Sequence, residues 1–123
     1  MLSVSPVVKI FLYSQAADLR RGYDGLASIV QETMNEDPLS GSLFVFVNKR
    51  ANRIKMLYWD ETGYAIWMKR LEVGTFEIPK VDDDASPSVK ITPSQLALIL
   101  DGIELSSVRR RKRYRLESAC HST

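Results

Sequence analysis

The chain has 123 residues, 45% of them apolar and 26% charged, which fits one globular domain with a real core and excludes a disordered or collagen-like chain. Its net charge of +2 conceals a split: six basic residues and one acidic lie from position 109 onward, against eleven basic and fourteen acidic before it. No apolar run approaches the roughly 18 residues that span a membrane, and Met1-Leu2-Ser3-Val4-Ser5-Pro6 lacks the basic-then-apolar pattern of a signal peptide.

Residues 7–13 (VVKIFLY) are β-branched and aromatic and predict a strand. Asp18-Leu19-Arg20-Arg21-Gly22 predicts a turn or a short helical turn. Leu26, Ile29, Val30 and Met34 recur on one face and predict a helix over 23–34, with Asp24 placed to cap its start. Asp37-Pro38 stops that helix, and Pro38-Leu39-Ser40-Gly41 turns the chain. Residues 43–47 (LFVFV) are apolar on both faces and predict a central strand covered on both sides. The polar 48–53 segment predicts a hairpin connection, 54–59 its return strand, and 64–68 a third strand. Between the last two, Asp60-Glu61-Thr62-Gly63 predicts a turn with its glycine in the left-handed region. Short connections make this meander antiparallel.

Residues 71–78 predict a further extended strand, 80–88 an acidic surface loop, and 89–91 a short strand. Thr92-Pro93-Ser94-Gln95 reads as a capping box opening a second helix, with Leu96, Ile99, Leu100 and Ile103 as its apolar stripe and Gly102 as its C-cap. The expected fold is α+β: an antiparallel sheet of four or five strands, its central meander at about 43–69, with two helices packed on it and a basic C-terminal tail. Residues 1–108 form the single domain and 109–123 a basic, flexible tail.

Residues 109–115 place Arg109, Arg110, Arg111, Lys112, Arg113 and Arg115 around Tyr114. Cations this dense repel one another until an anion arrives. Phosphates that neutralise them release counterions, so nucleic acid is the expected partner and its binding should depend steeply on salt. Tyr114 offers a ring for stacking on an unpaired base. The run is not amphipathic, so no membrane partner is expected; its alternatives are a protein or nonspecific anion partner and a plain solubilising tail. Lys49, Arg50, Arg53 and Lys55 lie on the tip and flank of the expected hairpin, and a two-stranded ribbon fits a DNA groove; the alternative is an ordinary charged hairpin tip. Arg20 and Arg21 favour an anion beside the first helix, unless Asp18 or Asp24 pairs with them. Lys69 and Arg70 either contact DNA or form the polar end of a strand. The aromatics Phe44, Phe46, Tyr58, Trp59, Tyr64 and Trp67 read as core rather than as a stacking platform.

Catalysis is not expected. Of the carboxylate candidates Asp60, Glu61, Glu72, Asp82, Asp83 and Asp84, the first two sit in a turn and the last three in a loop, whereas two-metal chemistry needs carboxylates converging from rigid elements; a divalent cation bound at Asp60 or Glu72 would revive a nuclease reading. The only histidine, His121, is third from the end, so no nucleophilic triad is available. No phosphate-cradling glycine loop exists, and no cofactor is expected. One cysteine, Cys120, beside that lone His121 makes a zinc site unexpected and points to a reducing cytoplasm.

Taken in order, Asp18-Leu19-Arg20-Arg21-Gly22-Tyr23-Asp24-Gly25-Leu26, Asp37-Pro38-Leu39-Ser40-Gly41, Leu43-Phe44-Val45-Phe46 and Asn48-Lys49-Arg50 with Arg53-Ile54-Lys55 begin a distinctive string. Trp59-Asp60 with Gly63, Lys69-Arg70-Leu71-Glu72 with Gly74 and Phe76, Thr92-Pro93 with Gln95-Leu96, and Leu100-Asp101-Gly102-Ile103 complete it. The string resembles the TnpB accessory proteins, or second-reading-frame proteins, of bacterial insertion sequence 66 elements, over residues 7–105. These are distinct from the RNA-guided nucleases that share the name TnpB. Leu19, Arg21 and Tyr23 replace the family's Met, Lys and Phe conservatively, and Ile78 precedes Pro79 where the family usually has tryptophan. The resemblance implies a small protein encoded beside a separate transposase that carries the catalysis. The resulting expectation is a non-catalytic accessory protein for transposition, binding DNA at the element ends through hairpin and tail. The alternative is a protein-interaction module that assembles with the transposase without recognising DNA. A continuous positive surface marks the first, and a large exposed apolar patch the second.

Overall fold

The computed structural model describes residues 8–79, 86–101, 103–104 and 109–110. Five strands, β1 (Ile10–Tyr13), β2 (Leu43–Val47), β3 (Arg53–Trp59), β4 (Tyr64–Arg70) and β5 (Ser88–Ile91), form one sheet in the order β4-β3-β2-β1-β5. Helix α1 (Tyr23–Ser28) runs into a π-helical turn, Ile29–Thr33, and α2 (Pro93–Asp101) follows β5. A short antiparallel pair, β6 (Ile103–Glu104) and β7 (Arg109–Arg110), joins residues on both sides of position 108. The rest of the basic tail, Gly102 and the acidic 80–85 stretch lie outside the described residues. Among the described residues no helix is long and apolar enough to cross a membrane.

All five residues of β2 are buried. Leu43, Val45 and Val47 enter one core with Ile10, Leu12, Ile54, Met56 and Ile91, closed by Leu96 and Ile99 of α2. Phe44 and Phe46 enter a second core with Leu57, closed by Leu26, Val30 and Met34. The period-2 alternation of side chains thus divides one strand between two cores. Each core has its own helical cover, giving three layers. Phe11 stacks on Phe44 with ring centroids 5.7 Å apart, and Tyr13 meets Phe46 at 5.8 Å.

The expected architecture stands, with four corrections. The sheet is mixed: β1 pairs parallel with β2, placing Ile10, Phe11 and Leu12 opposite Leu43, Phe44 and Val45. The long 14–42 connection carries α1 across one face, which is the crossover a parallel pair requires. The β2–β3, β3–β4 and β1–β5 pairs are antiparallel. Residues 71–78 do not form a strand. Gly74 at φ +83° bends them, and the Leu71 and Phe76 amides donate instead to the Asn52 and Ala51 carbonyls at 2.8 and 2.6 Å, with Phe76 buried.

Gly22, not Asp24, is the N-cap of α1; Asp24 lies in the first turn, where its charge suits the positive end of the helix. In the β3–β4 turn the left-handed residue is Glu61 at φ +81° rather than Gly63. The π turn has a packing reason. A step of four residues overshoots an α-turn and falls short of a π turn, so the two together keep Leu26, Val30 and Met34 over the sheet.

The capping box forms as its sequence predicts. The Gln95 amide donates to Thr92 Oγ1 at 3.1 Å, and the Thr92 amide donates to Gln95 Oε1 at 2.9 Å. Thr92→Ala should cost about 1 kcal/mol and Thr92→Ser much less, whereas Phe44→Ala should cost about 3–5 kcal/mol. Urea unfolding followed by circular dichroism measures all three.

Candidate nucleic-acid interface

The β2–β3 hairpin tip is held by one side chain. Asn48 Oδ1 accepts the Asn52 and Arg53 amides, both at 3.0 Å, while Asn48 Nδ2 donates to Asn52 Oδ1 at 2.8 Å. The Ala51 amide closes a turn on the Asn48 carbonyl at 3.0 Å, and Ala51 sits at φ +58°, a conformation a side-chain-bearing residue rarely keeps without support. That support includes the Leu71 and Phe76 amides that brace the tip from behind. Lys49 and Arg50 consequently stand exposed on a fixed turn.

The 18–22 segment lies alongside. The Ala17 amide donates to the Val47 carbonyl at 2.9 Å, buried Leu19 anchors the turn, and Lys55 Nζ donates to the Arg21 carbonyl at 3.1 Å. Gly25 lets the Arg21 stem pass over the helix, since a Cβ there would meet Arg21 Cβ at 3.0 Å. Arg20 is oriented by Asp18. Its backbone amide and Nε both donate to Oδ1 at 3.0 Å, and Nη2 donates to Oδ2 at 2.9 Å. The Arg20 side-chain bonds, and then its backbone amide, lower the Asp18 carboxyl from its ordinary 3.8 to about 2. Asp18 in turn raises the Arg20 guanidinium. The pair is exposed, so it orients Arg20 more than it stabilises the fold.

Two shallow grooves open between these elements. One, of about 320 Å³, is lined by Arg20, Lys49, Arg50 and Arg53 with Asp18, Asn48 and Asn52. The other, of about 370 Å³, is lined by Arg53, Lys55, Lys69 and Arg70 with Leu19, Met68 and Glu72. They share Leu19 and Arg53, so they are neighbours on one surface. Seven cationic residues and two acidic ones line the two grooves, and each carboxylate is already bound to a cation: Asp18 to Arg20, and Glu72 Oε2 to Arg70 Nε at 3.1 Å. The β3–β4 register sets Arg53 directly opposite Arg70, with Lys55 two residues further along the same face. Like charges in that position oppose sheet pairing.

The sequence-predicted cations therefore divide. Arg20, Lys49, Arg50, Arg53, Lys55 and Arg70 gather on one surface, and Lys69, opposite the core residue Ile54, borders it from the other face of the sheet. Arg21 lines a separate polar recess with Tyr13, Ser28, Glu32 and Thr33. The backbone of Arg109 and Arg110 lies in β7, and Arg111, Lys112, Arg113 and Arg115 lie outside the described residues. The residues that sequence reading overlooked are Asn48 and Asn52, whose signal was two asparagines bracketing Lys49-Arg50 in a turn. Asp60 Oδ1 accepts from the Thr62 amide and hydroxyl at 3.4 and 3.3 Å. Among the described residues no three His, Cys, Asp or Glu side chains gather as a metal site.

A mixed sheet covered by a helix on each face, with cations collected at the β2–β3 tip and the open end of the β3–β4 hairpin, defines a small α+β protein with a cationic surface. The chain belongs to the IS66 Orf2-like family, matching the family described as "IS66 Orf2 like protein" over residues 8–110. Its role is associated with an insertion sequence. It is 34% identical over 111 residues to "Uncharacterized protein y4jC" of Sinorhizobium fredii, covering 90% of this chain and 92% of that one. It is also 34% identical over 104 residues to "Uncharacterized protein y4hO" of the same organism, covering 85% and 88%. No solved structure matches the chain.

Because its folded carboxyl titrates low, Asp18 contributes stability that is present above its ordinary value of 3.8 and is lost as pH falls toward about 2. A carboxyl ¹³C titration should give about 2 for Asp18 in the wild-type chain and a higher value in Arg20→Gln, still below 3.8 because the backbone amide of residue 20 remains.

Proposed function

We propose that this protein is a non-catalytic accessory factor of insertion-sequence transposition that holds DNA through phosphate contacts. The observation that carries the reading is Arg53 set opposite Arg70, with Lys55 beside them and the hairpin-tip cations in the adjoining groove. A fold that keeps like charges together in a sheet ladder meets a cost that a bound polyanion removes. Guanidinium groups also suit phosphate oxygens, which they can bind two at a time.

In this reading Arg20, Lys49, Arg50, Arg53, Lys69 and Arg70 contact the backbone of the element ends. Lys55 holds the 18–22 segment against β3 and keeps spare donors for phosphate. Arg109, Arg110, Arg111, Lys112, Arg113 and Arg115 add affinity without sequence preference, because phosphate contacts position a protein but carry no sequence information. Asp18 and Glu72 hold Arg20 and Arg70 ready, and phosphate displaces them. Strand cleavage and joining belong to the separate transposase, and the protein works in the bacterial cytoplasm beside it.

Fluorescence anisotropy of full-length protein on element-end and scrambled duplexes across a salt series tests this. Arg53→Gln with Arg70→Gln should weaken both duplexes alike and reduce the salt slope by about one for each phosphate that is no longer neutralised. Neutralising Arg109 to Arg115 by glutamine should reduce it further. Absence of binding at low salt, together with capture of the element's transposase, would replace this reading with that of a transposase-binding module.

A further inference from the structure

β4 is one edge of the sheet, and among the described residues nothing pairs with its outer side. It is a regular seven-residue strand without proline, glycine or left-handed backbone. The opposite edge, β5, has only four residues and carries exposed Lys90, which are ordinary defences against edge pairing. The middle of β4 has no such defence: Ala65, Ile66, Trp67 and Met68 are uncharged, and Met68 is 64% exposed. Its charges lie at the two ends and differ in sign. Asp60 and Glu61 occupy the turn before the strand, and Lys69 and Arg70 complete it.

We infer that β4 pairs antiparallel with β4 of a second copy of this chain, making a dimer with one continuous ten-stranded sheet. A strand with an acidic start and a basic end is self-complementary in the antiparallel sense, whereas parallel pairing sets like charges together. The two-fold axis relating antiparallel edges must run normal to the sheet, so each face stays on its own side. With Trp67 on that axis, Met68 packs on the partner's Ile66, and Lys69 and Arg70 approach the acidic turn that precedes the partner's Tyr64. The buried area is small for an obligate dimer, so association depends on concentration. One consequence concerns the cation grooves. Each sits at the Arg70 end of its own β4, so the dimer carries two on one face, offset by roughly 20 Å along the strand direction. The pairing itself does not rest on the DNA reading.

Sedimentation velocity of the full-length protein over a concentration series at fixed salt tests it, with thermal melts confirming that each variant folds. The wild type should shift from monomer to dimer as concentration rises. Met68→Glu, Glu61→Lys and Lys69→Glu should each weaken the dimer by about tenfold or more, and Glu61→Lys combined with Lys69→Glu should restore it. A monomer at every concentration overturns the inference, and so does a dimer insensitive to Met68→Glu or a double variant no better than the singles. A monomer that still binds DNA overturns the pairing alone and leaves the DNA reading standing.

Discussion

Leu43–Val47 cannot present either side to water, because its five side chains alternate between two faces and all are apolar. Burying Phe44 and Phe46 requires a cover on one side, and burying Leu43, Val45 and Val47 requires another on the opposite side. One helix per face satisfies this, and the chain reaches the two faces by different routes. The connection from β1 to β2 lays α1 on the phenylalanine face and makes β1 parallel to β2. The segment after β5 lays α2 on the valine face. β1 and β3 complete the hydrogen bonding of β2 on either side, so the meander and the crossover meet at the strand least able to stand alone.

The cationic surface is a consequence of where those covers stop. Along the α1 face of β3 and β4, Leu57 and Ile66 pack against the second core, while two to four residues further on the same face carries Arg53, Lys55, Met68 and Arg70. The sheet outruns its helix there, and the exposed ladder positions are filled by long cations whose aliphatic stems cover apolar surface while their heads stay in water. The neighbouring tip has a different cause. Asn48 ties the turn to its own strand, and the Ala51 conformation is kept because the chain after β4 returns to bond its carbonyl. Residues 71–78 thus contribute as a brace, closing the first core with Phe76 and stiffening the loop that presents Lys49 and Arg50.

Much of this was legible in the sequence because it was local. The capping box at Thr92, the two-sided apolar run at 43–47 and the short meander connections each depend on residues close together in the chain. The parallel β1–β2 pair was not, since 7–13 has the same composition whichever way its neighbour runs. Residues 71–78 are easily misread, because alternating apolar positions describe a segment leaning on a core as well as they describe a strand. The cations were visible individually, but their convergence was not. Arg53 and Arg70 are seventeen positions apart, and only the β3–β4 register makes them opposite neighbours. Arg20 and Arg21 are adjacent in sequence yet line different recesses, a separation set by the helix start at Gly22.

The body is more polarised than its net charge implies, and this bears on how it meets a polyanion. The two grooves are lined by seven cationic residues and two acidic ones, an excess of five positive charges at one end of the sheet. Among the other described side chains, three cations stand against eight carboxylates, a deficit of five. On the proposed DNA reading, a duplex is drawn to the first set of charges and repelled by the second, and the opposing signs act as a torque over distances comparable to the Debye length, about 8 Å at physiological salt. A uniformly basic protein would bind phosphates in many orientations. On that reading, this one favours the groove surface and disfavours the rest. Orientation of that kind matters little for affinity, but it is what a protein needs if its task is to hold DNA in a fixed relation to another protein.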